Sequence, residues 1–294
     1  MDDECIHGLD GGLCAVCFPQ AAPEVVAAPV VRKRSSNAKP PSLTGPRTAT
    51  PTVSAAAPRK AAAVAKRPID NVGEQRIYHV THISNLAAIL ASGGLLADAS
   101  DALEARPAVD VSAADVREAR RAAALPGENG LVIADYVPFF LSPNARVWDA
   151  IRARSGDARL VLNAHGSDAY DFVIFVSTVK KVVDAHAATN DDFPAAVAVA
   201  DGDAAHASTR VVSTSEGVDR MLVRLRSDLD SDALLTAELL VQETFPLELV
   251  TLLGVANDRV RDAVREILKA STYRPKVAVY PPWFQASEEE VLED

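Results

Sequence analysis

The chain has 294 residues, with 40 acidic and 30 basic side chains and a formal net charge of −10 at pH 7. That length fits one large domain or two small ones, and the acidic total argues against a protein that coats duplex DNA over a wide face. No stretch approaches the roughly 20 apolar residues of a membrane helix and no charged-then-apolar leader opens the chain, so a soluble, cytoplasmic protein is expected.

All three cysteines come first. Cys5-x-His7, six residues, then Cys14-x-x-Cys17 supplies four soft or borderline ligands. The Cys-x-x-Cys turn matches the tetrahedral bite of zinc, and Gly8, Gly11 and Gly12 ease the backbone between the pairs. The spacing predicts a Cys3His zinc-binding element over residues 1–20, of the closed, structural kind. A disulfide is the alternative. It would leave one thiol over, and a cytoplasmic chain seldom keeps disulfides. A reducing motif without metal is the other.

Residues 21–72 read as a disordered, basic, Pro/Ala-rich linker. Ala21–Pro68 holds nine Lys or Arg against the single acid Glu24, with eight prolines, thirteen alanines and no aromatic residue. Such a segment cannot bury enough apolar surface to offset its backbone entropy. It is either a solvated tether or a loose grip on nucleic acid. The charge therefore splits, with +3 before residue 73 and −13 after it.

Residues 73–285 read as one α+β domain, followed by an acidic tail over 286–294. A strand is predicted over Arg76–Thr81 and a helix over Asn85–Ser92, ended by Gly93-Gly94. A second helix spans Ser112–Ala123, capped by Ser112, with Arg120-Arg121 near its end. Apolar runs predict strands at Tyr136–Leu141, Phe172–Ser177, Ala196–Val199, Ala237–Val241 and Thr251–Val255. Asn257 caps a helix over Asp258–Ala270, and Pro275–Val279 is the last strand. The elements lack a βαβ rhythm, and no common phosphate loop or hydrolase elbow occurs.

A few residues stand out. His79 and Thr81 share one face of the first strand. Arg120-Arg121 is explained at minimum by the dipole of its helix. Glu238 stands among strand-forming apolar residues, where a carboxylate is unusual unless paired or functional.

Their order resembles the DarT family of DNA ADP-ribosyltransferases. Tyr78-His79-Val80-Thr81-His82-Ile83-Ser84-Asn85-Leu86 is similar to its opening strand. Val109-Asp110-Val111-Ser112, Val116, Arg120-Arg121, Asp135-Tyr136-Val137-Pro138-Phe139-Phe140 and Pro143 follow. Asp201-Gly202 with Ala204-Ala205 resembles the family's loop, and Ala237-Glu238 with Leu240-Val241 its catalytic strand. Phe245-Pro246, Glu248-Leu249, Gly254-Val255 and Asn257 close the series. The family's arginine after Pro143 is replaced by Asn144, with Arg146 two residues on as a substitute. Its loop histidine is replaced by Asp203, and its Lys-Arg-Gln run before the glutamate by Leu234-Leu235-Thr236.

The resemblance implies an ADP-ribosyltransferase fold, two small sheets around a cleft that bends NAD. It implies NAD as co-substrate, with His79, Thr81, Asn85, Phe139 and Phe140 on the cofactor side. It makes Glu238 and Arg121 catalytic and places Arg120, Asp201 and Arg146 on the substrate side. It implies a thymidine base of single-stranded DNA as acceptor, and a toxin whose partner is a macrodomain antitoxin. A transferase of this fold acting on guanosine, RNA or protein stays open, as does a non-catalytic module that binds NAD and nucleic acid.

Overall fold

The computed structural model describes residues 71–128, 130–161, 166–189, 196–227 and 232–287. All belong to the second of the chain's two units, Lys66–Asp294. The predicted zinc element, nearly all of the linker, and the tail from residue 288 lie outside the described residues. Val72 already packs against the core.

In chain order come β1 (Arg76–His82), α1 (Leu86–Ser92), β2 (Gly94–Leu96), α2 (Ala114–Ala122), β3 (Tyr136–Phe140) and α3 (Arg146–Arg152). Then follow β4 (Phe172–Thr178), α4 (Val179–Thr189), β5 (Val197–Ala200), β6 (Val211–Val212) and α5 (Ser215–Ser227). A helical turn, Ala233–Thr236, leads into β7 (Glu238–Gln242) and β8 (Thr244–Pro246). The chain goes on through β9 (Leu252–Val255), α6 (Asp258–Leu268) and β10 (Lys276–Val279), then a 3-10 turn at Pro281–Phe284. The predicted strands are all present within a residue or two. Gly93 ends α1 at φ +79°, and the Asn257 side chain accepts from Val260 N at the start of α6. Ser112 is not the cap of α2. It forms an isolated bridge with Leu160, and Ala113 occupies the cap position.

Eight strands form one sheet in the order β10-β9-β4-β1-β3-β7-β5-β6, and β2 pairs with β8 apart from it. Only β9 and β10 run parallel. The sheet is forked. β1 and β4 share seven register pairs and β3 and β7 share five, but β1 and β3 share only Tyr78↔Phe140. The expected two small sheets are thus two four-stranded halves of one forked sheet. Pro138 gives the fork a cause. A residue in a strand turns its N and O toward the same neighbour, and the Pro138 carbonyl faces β1, where it accepts from His79 Nδ1 at 2.9 Å. The missing N–H of Pro138 is therefore a donor lost on the β1 side. Side chains hold the seam on either side of the single pair. His79 reaches Pro138 O, and Gln75 Nε2 donates to Leu141 O at 2.9 Å.

One face of the sheet is covered by α1, α4, α5 and α6. Ile77, Val137, Phe139, Phe175, Leu239 and Leu253 of the strands meet Leu86, Val182, Leu222 and Val264 there. The other face carries two smaller clusters. One surrounds Trp148 with Tyr78, Phe172 and Phe284 over β1 and β4; the other joins Leu125, Ile133 and Tyr136 to Ala198, Ala200 and Leu240 over β5 and β7. Between them runs the row Tyr78, Phe140, Glu238, Ala200, in register across four strands. No described helix is long and apolar enough to cross a membrane.

Candidate active site

Strand alternation decides which face Glu238 takes. Leu239 and Val241 enter the large core, so Glu238 and Leu240 turn to the other face. Phe140 and Ala200 flank Glu238 on the neighbouring strands. The small Ala200 leaves room for the carboxylate, which is 6% exposed. A buried carboxylate needs a partner. Arg120 of α2 supplies it, with Nη1 at 3.0 Å from one oxygen and 3.3 Å from the other. The same Nη1 lies 3.7 Å from Asp203 in the loop after β5.

Burial pushes the Glu238 carboxyl above the ordinary carboxylate range; the Asp203 charge adds to this, while Arg120 and Arg159 oppose it. Arg159 is a member of the site that the sequence reading missed. It chelates Asp157 through Nε at 2.9 Å and Nη2 at 2.6 Å, from an irregular segment with no periodic signal.

Arg121, expected as a catalytic residue, and Arg120, expected on the substrate side, take different places. The Arg121 side chain is 42% exposed and pairs with Asp98, whereas that of Arg120 is 14% exposed and meets Glu238. Arg117, one turn before Arg121, pairs with Asp110. The Nη2 of Arg120 and the Nε of Arg117 are buried with no hydrogen-bond partner among the described residues. Buried donors in this state are rare and call for an explanation.

On the proposed cofactor side, a carbonyl only accepts, so the His79–Pro138 bond fixes the proton on Nδ1 and leaves Nε2 as an acceptor. Burial lowers the pKa of His79, and the bond to Pro138 opposes this. Asn85 is a buried clamp. Its Nδ2 donates to Thr81 Oγ1 at 3.0 Å and to Val109 O at 2.8 Å, and its Oδ1 accepts from Val109 N at 3.0 Å. Phe139 is fully buried against Phe245, with ring centroids 4.6 Å apart, so it supports the strand from the core side. Phe140 is half-buried in the row of Glu238.

Asp201 and Arg146, the other residues expected on the substrate side, have partners of their own. Asp201 is taken up by Arg224 at 2.5 Å and by the backbone N of Arg210 at 2.8 Å. Arg146 is exposed and pairs with Asp232. Cys5, His7, Cys14 and Cys17 lie outside the described residues, and among those described no cluster of His, Cys, Asp or Glu suits a metal ion.

Known proteins resemble this chain over most of its described residues. A DNA ADP-ribosyl transferase of Thermus sp. (strain 2.9) is 28% identical over 218 residues, 71% of this chain and 95% of that protein. The structure of Thermus sp. 2.9 DarT in complex with ADP-ribosylated ssDNA matches with a TM-score of 0.57 at 26% identity, covering 71% of this chain and 96% of that one. The same protein in complex with NAD+ matches at 0.54 and 26% identity, covering 71% and 97%. The model of the ssDNA thymidine ADP-ribosyltransferase family DarT matches residues 78–285, and the chain belongs to that family.

Proposed function

We propose that this chain moves the ADP-ribosyl group of NAD onto a thymidine base of single-stranded DNA, with Glu238 as catalytic carboxylate and Arg120 as its cationic partner. The observation that carries the assignment is a buried glutamate, on the row that crosses the fork of the sheet, held by a half-buried arginine of α2. Bound NAD supplies a ribose C1′ whose bond to the positively charged nicotinamide nitrogen is ready to break. Transfer breaks that bond, and nicotinamide leaves neutral with the electron pair. A base nitrogen bonds to C1′, and Glu238 takes its proton. Glu238 also holds the 2′-hydroxyl and stabilises the oxocarbenium-like charge. Arg120 offers its unpartnered Nη2 to a phosphate or a base carbonyl. His79 accepts a ribose hydroxyl through Nε2. Thr81 already accepts from Asn85, so it keeps its own O–H as a donor. Phe140 presents a ring to the nicotinamide region.

We propose further that Cys5, His7, Cys14 and Cys17 bind a structural zinc and that the nine basic residues of the segment 21–72 add affinity for single-stranded DNA. The chain acts in the cytoplasm as the toxin of a toxin–antitoxin pair opposed by a macrodomain. A second reading, another acceptor such as guanosine, RNA or protein, draws on Asp203, an acid beside Arg120 where the family's loop has histidine.

Four single-stranded oligonucleotides, each lacking one base type, decide between them with labelled NAD. Label should reach every oligonucleotide except the one without thymine, and Glu238→Ala should label none. Loss that tracks guanine, or label on RNA or protein alone, would move the acceptor. Transfer by Glu238→Ala at the parent rate would remove Glu238 as catalyst.

A further inference from the structure

Arg120 is shared. One guanidinium nitrogen contacts two carboxylates that come from different parts of the chain, Glu238 on β7 at 3.0 Å and Asp203 in the β5–β6 loop at 3.7 Å. The loop fixes Asp203 locally. Its Oδ1 accepts from Ala205 N at 3.1 Å, and its carbonyl accepts from His206 N at 3.0 Å. Asp201, two residues earlier, is anchored by Arg224 and by the backbone of Arg210. Asp203 is therefore delivered to Arg120 by a braced loop.

We infer that Asp203 is a positioning residue for transfer: it draws Nη1 of Arg120 partly off Glu238 and keeps Glu238 a stronger proton acceptor than an arginine-paired glutamate would be. The inference rests on Glu238 being the base of the reaction. The charged groups facing Glu238 are Arg120 from α2, Arg159 from the segment before residue 161, and Asp203. Burial is the largest influence and raises the carboxyl; the two cations pull it back toward the ionised form and make it a weaker base for a weakly acidic ring nitrogen. Asp157 already holds Arg159, and Asp203 supplies the negative charge set against Arg120 beside Glu238. The bond that forms and the bond that breaks are unchanged; only the readiness of Glu238 to take the proton differs.

The pH dependence of labelling by the full chain, with NAD and a thymidine-containing oligonucleotide, tests this. Activity needs ionised Glu238, so it falls as pH drops through the pKa of that group. Asp203→Asn removes the opposing charge, which moves the acid limb of kcat/KM to lower pH and lowers the plateau several-fold. The KM for NAD in nicotinamide release should stay at the parent value. Asp203→Glu keeps the charge and should return the limb toward the parent position. An acid limb that stays in place in Asp203→Asn, or an equal loss at every pH, overturns the inference. If Glu238→Gln retains the parent activity, the failure belongs to the assignment of Glu238.

Discussion

A helix turns about 100° per residue, so Arg120 and Arg121 face different surroundings. The pair was legible in the sequence; which of the two turns inward was not, because the choice depends on where α2 lies on the sheet. Arg120→Ala should lower kcat by about 100- to 1,000-fold, the scale for losing a charge partner of a transition state. Arg121→Ala should stay within about threefold in steady-state labelling and cost at most about 1 kcal/mol in denaturant unfolding, since its pair with Asp98 is screened by water. The reverse ranking would make Arg121 the essential arginine, as the family resemblance implies. Glu238 was legible for the opposite reason. A carboxylate in the run Ala237–Val241 contradicts its surroundings, and such conflicts concentrate at functional sites. Arg159 gave no signal, because its role depends on a contact across the fold from a segment without periodicity.

At the scale of elements, caps and apolar runs located the strands and α6. The helix α4 was missed because Val179 continues directly from β4 with no Gly or Pro between them, and its cap, Thr178, whose Oγ1 accepts from Lys181 N at 3.4 Å, is itself the last residue of the strand. The helix α5 carries a readable stripe, Val218, Met221, Leu222 and Leu225, that was passed over. Packing between distant elements left no sequence trace at all. A Cβ on Gly254 of β9 would stand 2.8 Å from the Trp283 ring. That ring is wedged against Tyr78 at 5.5 Å and Tyr280 at 4.7 Å, and the Trp283 carbonyl accepts from Trp148 Nε1 at 2.7 Å. The ring has little room to yield. Gly254→Ala should therefore cost about 1–3 kcal/mol of stability. Calorimetry should show this as a Tm lower by several degrees. An unchanged Tm would mean that the C-terminal segment is looser than these contacts imply.

For the whole molecule, the order of motifs along the chain was more informative than any single motif, yet strand order was beyond reach. Nothing in β1 says that it lies between β4 and β3. The charge split belongs to this scale too. Removing residues 1–70 takes away all nine cations of the linker. It should weaken single-stranded DNA binding and flatten its dependence on salt, as anisotropy titrations at several ionic strengths would show. An affinity that does not change would assign DNA binding to the acidic domain alone.

The fork at Pro138 has a thermodynamic side. Each ladder bond left unmade between β1 and β3 forgoes on the order of 1 kcal/mol. The sheet therefore stands below the stability its strands could reach, along the seam that the row of Phe140 and Glu238 crosses. A donor molecule that binds only the folded chain restores stability in proportion to the logarithm of its concentration. The lifetime of the protein against proteolysis thus becomes coupled to the supply of the compound it consumes.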